Sequence, residues 1–161
     1  MLKFLNQKGL KIMKNLHTKL ESYAKRCDDI FLDTHLKKLI EEASLAVEQI
    51  NVNELVIDKT LILVDVREPE EFASGYIGGE NILTIPRGKL EFMAIEKIAR
   101  IYGQDANIVT YCLKGPRGSL AGLQLQKMGF TNVSNLEGGL LAWLENGKSI
   151  HNYLGELTLV K

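Results

Sequence analysis

Cysteine, histidine and proline are scarce in this chain, at two, three and three residues among 161. The thiols, Cys27 and Cys112, stand far apart and form no CxxC, which excludes a zinc-ribbon ligand set and a disulfide framework. The histidines are scattered at His17, His35 and His151, so neither a metal nor any other cofactor is expected. A surplus of one charge is missing too. Twenty basic residues balance twenty acidic ones, and without excess Lys and Arg to displace counterions no nucleic-acid partner is expected. No apolar run approaches the ~18 residues of a membrane span, so no membrane partner is expected either. The amino terminus, MLKFLNQKGLKIMKNL, is broken by Lys, Asn and Gln before the apolar stretch of a secretory signal can form. These absences predict a cytoplasmic protein with reduced thiols. Hydrophobic residues at 45% and charged residues at 25% exclude wholesale disorder. The length suffices for one domain and an appendage.

Residues 1–50 lack proline and read as helical. Met13, Leu16, Leu20, Tyr23, Cys27 and Ile30 recur at alternating spacings of three and four, which places them on one helical stripe. Asp33 and Thr34 supply N-cap chemistry for a second helix with Leu36, Leu39, Ile40 and Ala43 facing inward. The stripe suits a helix folded back on its own domain; the alternative is a homodimer formed through these N-terminal helices. Asn51 and Glu54 resemble a capping box for a short helix over 52–57. Leu61–Asp65 and the following Val66 form a continuous apolar run closed by charge, as in a strand buried on both faces of a parallel sheet. Further strands are expected over 81–85, 107–112 and 133–136, and helices over 69–73, 90–102, 119–128 and 140–145. This alternation predicts an α/β protein with an open sheet. The expected division is a helical extension over 1–47, the α/β domain over 48–150 and a tail over 151–161, in which residues 156–160 could add an edge strand.

The chemistry concentrates in Cys112-Leu113-Lys114-Gly115-Pro116-Arg117-Gly118-Ser119. A cysteine ends a buried strand, a tight glycine-containing turn follows, and a helix begins at once. In parallel sheets ligands bind beyond the carboxyl ends of strands, where Cys112 would sit. Successive backbone N–H groups, the positive end of the helix, and the charges of Lys114 and Arg117 all favour an anion on, or attacking, the sulfur. An inert buried cysteine would not need such a turn.

Four segments in order resemble the rhodanese-like domains. Asp65-Val66-Arg67-Glu68-Pro69-Glu70-Glu71-Phe72 is similar to the D-x-R-x-x-x-E-[FY] segment of that family. Gly75-Tyr76-Ile77-Gly78-Gly79-Glu80-Asn81-Ile82 is similar to its second segment. Cys112, Gly115 and Arg117 match C-x-x-G-x-R, and Leu136-Glu137-Gly138-Gly139-Leu140-Leu141-Ala142-Trp143 matches the closing L-x-G-G-x-x-A-W. The resemblance spans about residues 48–147. It implies a rhodanese-like doubly wound, mainly parallel sheet flanked by helices, and a sulfurtransferase that works through a Cys112 persulfide. The implied donor is a small sulfur-containing anion such as thiosulfate, or a protein or small-molecule persulfide; the acceptor is cyanide or a thiol. Cys112 is then the nucleophile, and Leu113, Lys114, Gly115, Pro116, Arg117 and Gly118 form the active-site loop that binds substrate. Asp65 and Arg67 support it: Asp65 is expected to hold backbone at the strand end while Arg67 pairs with Glu70 or Glu71, the alternative being an Asp65–Arg67 ion pair with a catalytic role. Such ping-pong chemistry needs a cup of donors around the sulfur rather than a general base.

Departures from the family pattern bear on substrate. Tyr76, which replaces a usual His, and Gly78, which sits where Pro is common, lie away from the nucleophile in sequence and matter little for activity; Pro116 is more consequential. Pro116 lacks an N–H, so at most four of the five residues from Leu113 to Arg117 can donate to an anion. Leu113 stands where thiosulfate-preferring members carry Arg, which favours a persulfide donor. Trp143 and Cys27 read as packing residues. Two rival functions share the fold. Dual-specificity phosphatases and arsenate reductases place Arg one residue farther from the cysteine, because a tetrahedral phosphate needs a longer loop. A non-catalytic protein-binding or regulatory module usually lacks the cysteine that this chain retains.

Overall fold

A computed structural model describes residues 29–158. The expected stripe from Met13 to Cys27, and dimer pairing through it, lie outside the described residues. The chain divides between Glu41 and Glu42 into two units. Helix α1 (Asp29–Ala46) runs through Asp33 and Thr34 without a break. Asp33 does not cap a second helix; it pairs with Lys37 one turn on, at 2.6 Å. Leu36 and Leu39, expected to face inward, are 42% and 54% exposed.

From Glu42 onward the architecture is α/β. A five-stranded sheet is built from β1 (Glu48–Ile50), β2 (Leu61–Asp65), β3 (Ile82–Thr84), β4 (Asn107–Tyr111) and β5 (Val133–Leu136), in the order β1-β5-β4-β2-β3. Every pairing in it is parallel. Helix α2 (Pro69–Ser74) follows β2. A rod made of α3 (Leu90–Ala94), a π-helical turn (Ile95–Ala99) and α4 (Arg100–Tyr102) leads to β4. Helices α5 (Pro116–Lys127) and α6 (Gly139–Glu145) follow β4 and β5. No helix among the described residues is long and apolar enough to cross a membrane.

The alternation of side chains along β2 creates two cores. Ile62, Val64 and Val66 join Ile108, Leu90, Ile98, Ala121 and Leu125 on one face of the sheet. Leu61 and Leu63 join Val109, Tyr111, Leu136, Leu140 and Trp143 on the other. Because both faces are covered, the central strands carry almost unbroken apolar runs. Trp143 is buried and donates from Nε1 to the Ser149 carbonyl at 2.7 Å.

Three expected elements differ. Residues 52–57 form a turn rather than a helix. Asn51 and Glu54 do make the capping contacts, with the Asn51 N–H donating to Glu54 Oε2 at 3.2 Å and the Asn53 N–H to Asn51 Oδ1 at 3.0 Å. Six residues that include Val52, Val56 and Ile57 cannot propagate a helix from that one turn. The helix expected from Ser119 starts at Pro116, since proline's fixed φ suits the first helical position and its missing N–H would be unpaired there anyway. Among the described residues the tail adds no strand to the main sheet; residues 159 and 160 of the expected strand lie outside them. It forms a separate antiparallel hairpin, β6 (Ile150–Asn152) and β7 (Gly155–Leu157).

At the carboxyl end of β2, Asp65 and Arg67 are both buried, at 0% and 2% exposure. Arg67 Nη2 donates to Asp65 Oδ2 at 2.6 Å and to the Gly75 carbonyl at 2.7 Å, and Nε donates to Asp65 Oδ1 at 2.9 Å. Arg67 does not reach Glu70 or Glu71, because Asp65 and the Gly75 carbonyl already occupy its fork inside the core. The guanidinium also stands 5.8 Å from the Tyr111 ring centroid, and the Tyr111 hydroxyl accepts from the Ile77 N–H at 3.2 Å. Burial raises the Tyr111 phenol well above its ordinary range, so it stays neutral. Asp65→Asn would leave a buried guanidinium without its counter-charge, which should cost about 3–5 kcal/mol of folding stability. Urea unfolding followed by circular dichroism measures this; a loss below about 1 kcal/mol would show that Arg67 finds another anion.

Candidate active site

The strand order reverses between β2 and β4: β3 lies beyond β2 on one side, β5 beyond β4 on the other. Ligands of open parallel sheets bind at the carboxyl ends flanking such a point. Cys112 stands there, one residue after β4, and the Val66 N–H donates to the Tyr111 carbonyl at 3.0 Å beside it. Its side chain is buried, in the core that also holds Val66 and Ala121.

The turn after Cys112 is shaped from both ends. Gly115 adopts φ +111°, and its N–H donates to Cys112 Sγ at 3.1 Å. Helix α5 then begins at Pro116, with the Ser119 N–H donating to the Gly115 carbonyl at 3.0 Å. On the opposite side the first turn of α6 takes up the carbonyls of the turn. The Leu140 N–H donates to the Cys112 carbonyl at 2.9 Å, and the Leu141 N–H to the Leu113 carbonyl at 3.0 Å. This approach requires glycine at 139. Gly139 has φ +61°, and a Cβ there would stand 2.4 Å from the Cys112 oxygen and 2.9 Å from the Leu113 carbonyl. The N–H groups of Leu113, Lys114, Arg117 and Gly118 find no protein acceptor among the described residues. Pro116 contributes none.

Beneath the turn lies a polar network that reading the sequence did not identify. Asn135, fully buried in β5, donates from Nδ2 to Gln49 Oε1 at 2.8 Å, to Ser119 Oγ at 3.1 Å and to the Gly115 carbonyl at 3.4 Å. Thr110 Oγ1 donates to the Gly118 carbonyl at 2.9 Å. A Cβ on Gly118 would lie 2.0 Å from Asn135 Oδ1, so the helix start rests directly on this side chain. The available signal was an Asn inside a strand expected to be buried, since a buried amide must find partners.

Arg117 leaves the turn sideways. Its Nη1 and Nη2 donate to Glu71 Oε2 and Oε1, each at 2.7 Å, in a bidentate pair with both side chains about a third exposed. Glu71 Oε2 also accepts from the Glu68 N–H at 3.1 Å, in the capping box that opens α2. Hydrogen bonding from Arg117 holds the Glu71 carboxyl below its ordinary value. Hydrogen bonding to Glu71 in turn raises Arg117, with the charge of Cys112 adding to the same effect. Lys114 is exposed and has no ion-pair partner among the described residues. The family departures at Tyr76 and Gly78 are matched by the hairpin. Tyr76 stacks on Phe72 with ring centroids 4.3 Å apart and exchanges backbone hydrogen bonds with His151. A Cβ on Gly78 would stand 2.5 Å from the His151 ring.

The family model described as the rhodanese-like domain matches residues 48–146. A fission-yeast (Schizosaccharomyces pombe) protein named putative thiosulfate sulfurtransferase, mitochondrial, is 37% identical over 100 residues, covering 57% of this chain and 69% of that protein. Among solved structures, the polysulfide-sulfur transferase homodimer of Wolinella succinogenes superposes with a TM-score of 0.61 at 27% identity, covering 79% of this chain and 90% of that one. A Rhodopseudomonas palustris protein described as of unknown function and a possible tyrosine phosphatase superposes with a TM-score of 0.62 at 28% identity, covering 72% and 93%.

The Glu71–Arg117 pair has a pH consequence. Glu71 titrates below its ordinary value of 4.5 in the folded protein, so its contribution is fully present above that value and is lost as pH falls through the lower, folded one. Because the pair is partly solvated, the contribution is on the order of 1 kcal/mol or less. Glu71→Gln should therefore lower stability near neutrality and flatten its fall below pH ~4.5. Thermal melts at a series of pH values read this, and parallel curves for the two proteins would contradict it.

Proposed function

Since this chain belongs to the rhodanese-like domain family, we propose that it is a sulfurtransferase that carries sulfane sulfur as a persulfide on Cys112. The observation that carries this reading is the Gly115 N–H on Cys112 Sγ, beside N–H groups without an acceptor among the described residues. Donors fixed in this way stabilise a sulfur-centred anion without reorganising when it forms. In the first half-reaction the Cys112 thiolate attacks the outer sulfur of a donor. With thiosulfate, the S–S bond of the donor breaks, a Cys–S–S⁻ anion forms and sulfite departs. In the second half-reaction cyanide or a thiolate attacks the outer sulfur, leaves as thiocyanate or a new persulfide, and restores the Cys112 thiolate.

Roles follow from position. Leu113, Lys114, Gly115, Arg117 and Gly118 line the cup with backbone donors, Pro116 stiffens its junction with α5, and Asp65 and Arg67 hold the neighbouring strand end. Lys114, exposed and without an ion pair among the described residues, meets the charge of an arriving donor. Leu113 removes a cation that would favour thiosulfate, so a protein or small-molecule persulfide suits the site as well. Retention of Cys112 with Gly115 and Arg117 supports catalysis over a purely binding role. The R. palustris neighbour raises the phosphatase reading, but Arg117 lies five residues after Cys112, a loop one residue short of what a phosphate requires. A reducing compartment is the setting such a thiol needs. The cytoplasm meets that requirement, and so does the organelle named for the fission-yeast relative.

Incubation with thiosulfate should add ~32 Da to the peptide containing Cys112, as expected for one sulfur atom on a reactive thiolate. Cys112→Ser should abolish the adduct and sulfur transfer, and Cys27→Ser should leave both intact. Loss of activity in the Cys27 variant instead would reverse the assignment. Lys114→Ala should raise KM for thiosulfate by roughly 5- to 50-fold, the scale of one lost charge-assisted contact, with kcat much less affected. Steady-state kinetics check this, and an unchanged KM would remove Lys114 from donor binding.

A further inference from the structure

The two cations of the active loop are not equivalent. Both terminal nitrogens of Arg117 donate to Glu71 at 2.7 Å while its charge also acts on Cys112, and Lys114 has no ion-pair partner among the described residues. Glu71 is anchored as well: the Glu68 N–H holds the same carboxylate from the capping box, and Pro69 starts the helix that carries it. The carboxylate is thus a fixed part of the site's rim. Arg67, the other nearby guanidinium, is hydrogen-bonded to Asp65 and the Gly75 carbonyl, and its charge favours the Glu71 carboxylate less than Arg117 does. With the thiolate formed, Lys114 and Arg117 are balanced by Glu71 and Cys112. The backbone cup is built for an anion, yet the charges around it sum to nothing.

We infer that Glu71, through its bidentate grip on Arg117, is a specificity-determining residue that selects singly charged sulfur donors over doubly charged ones. The inference rests on the sulfurtransferase reading above. A donor of either charge gains from the backbone N–H groups. A dianion meets the thiolate and Glu71 with one uncommitted cation to offset them, whereas a monoanion pays half of that repulsion. Persulfides of small thiols and thiosulfonates are the singly charged class; thiosulfate is the doubly charged one.

Thiosulfate and methanethiosulfonate form a suitable pair of probes, because a methyl group replaces one charged oxygen while the S–S bond to be broken is kept. Attack on methanethiosulfonate forms the same Cys–S–S⁻ anion and releases methanesulfinate, so the charge balances as it does with sulfite. The quantity to measure is kcat/KM for thiosulfate divided by kcat/KM for methanethiosulfonate, at low salt. Glu71→Gln should raise that ratio by roughly 3- to 10-fold, the size expected for one charge several ångströms away in a partly wet site. Glu71→Asp, which keeps the charge and changes the reach, should leave the ratio near that of the unaltered protein even where both rates fall. Added salt should shrink the difference between Glu71→Gln and the parent. An equal fall for both donors in Glu71→Gln, with the ratio unchanged, would show that Glu71 merely positions Arg117 and would overturn the inference. If the unaltered protein gained no sulfur on Cys112 from either probe, the sulfurtransferase reading would fail and this one with it. An unchanged ratio with sulfur loading intact removes this inference alone.

Discussion

Two backbone hydrogen bonds, from Leu140 and Leu141 to the carbonyls of Cys112 and Leu113, govern the shape of the site. A peptide unit carries its N–H and C=O on opposite sides, so turning the carbonyls toward α6 leaves their N–H partners to the other side. The cup is therefore made by what binds its outside. Gly139 makes the approach possible, since any Cβ at that position would collide with the carbonyls being bound. Gly115 serves the same end within the turn, with a positive φ that other residues rarely adopt. Asn135 and Thr110 close the underside by taking the Gly115 and Gly118 carbonyls. Three separate elements thus spend the acceptors of one short turn, so that its donors remain for an anion.

The ion pairs divide the work by burial. Asp65 and Arg67 are enclosed, with the fork of Arg67 filled by Asp65 and the Gly75 carbonyl. Breaking such a pair strands a charge in low dielectric, so its removal costs several kcal/mol even though the intact pair adds little net stability. It therefore serves to fix where β2 ends and where the chain around Gly75 returns. Glu71 and Arg117 are partly exposed, and their contribution to folding is small. A weak pair at a site's rim can still affect reactivity, because a donor arriving through water meets its charges directly.

Much of this was legible in the sequence, and what was not has physical reasons. The two-sided burial of β2 and β4 shows as apolar runs, nearly unbroken in β2 and interrupted by Thr110 in β4, and Val133–Leu136 is the strand expected there. Cysteine, glycine and arginine at their spacing marked the turn, because few other uses of a chain require them together. Of the two partners the sequence offers Arg67, adjacency favours the acids of α2 over Asp65. The guanidinium instead turns back into the core to Asp65, and Arg117, distant in sequence, takes Glu71. Residues 52–57 show the limit of local signals: the capping contacts form, yet nothing propagates the helix. Asn135 and Gln49 escaped notice because a buried polar network appears only when three elements are brought together. The same holds for His151, which reaches Tyr76 and Gly78 by way of a hairpin read as a loose tail.

Backbone donors and side-chain charges act over different ranges, and this chain relies on the first. Hydrogen bonds from fixed N–H groups act at contact distance and are little affected by salt, whereas exposed charges are screened over about 8–10 Å in physiological solution. A site that attracted donors by net charge would collect every abundant small anion. Here Leu113 supplies no charge and Arg117 is shared with Glu71, so Lys114 is the cation of the turn left to attract. On the proposed sulfurtransferase reading, the turn would hold an anion at the sulfur without drawing in sulfate or phosphate from a distance. Pro116 points the same way: it gives up one donor and gains a helix start that its fixed φ favours. On that reading, backbone donors free to hold an anion at the sulfur are the consequence of turning the carbonyls of one turn toward three other elements.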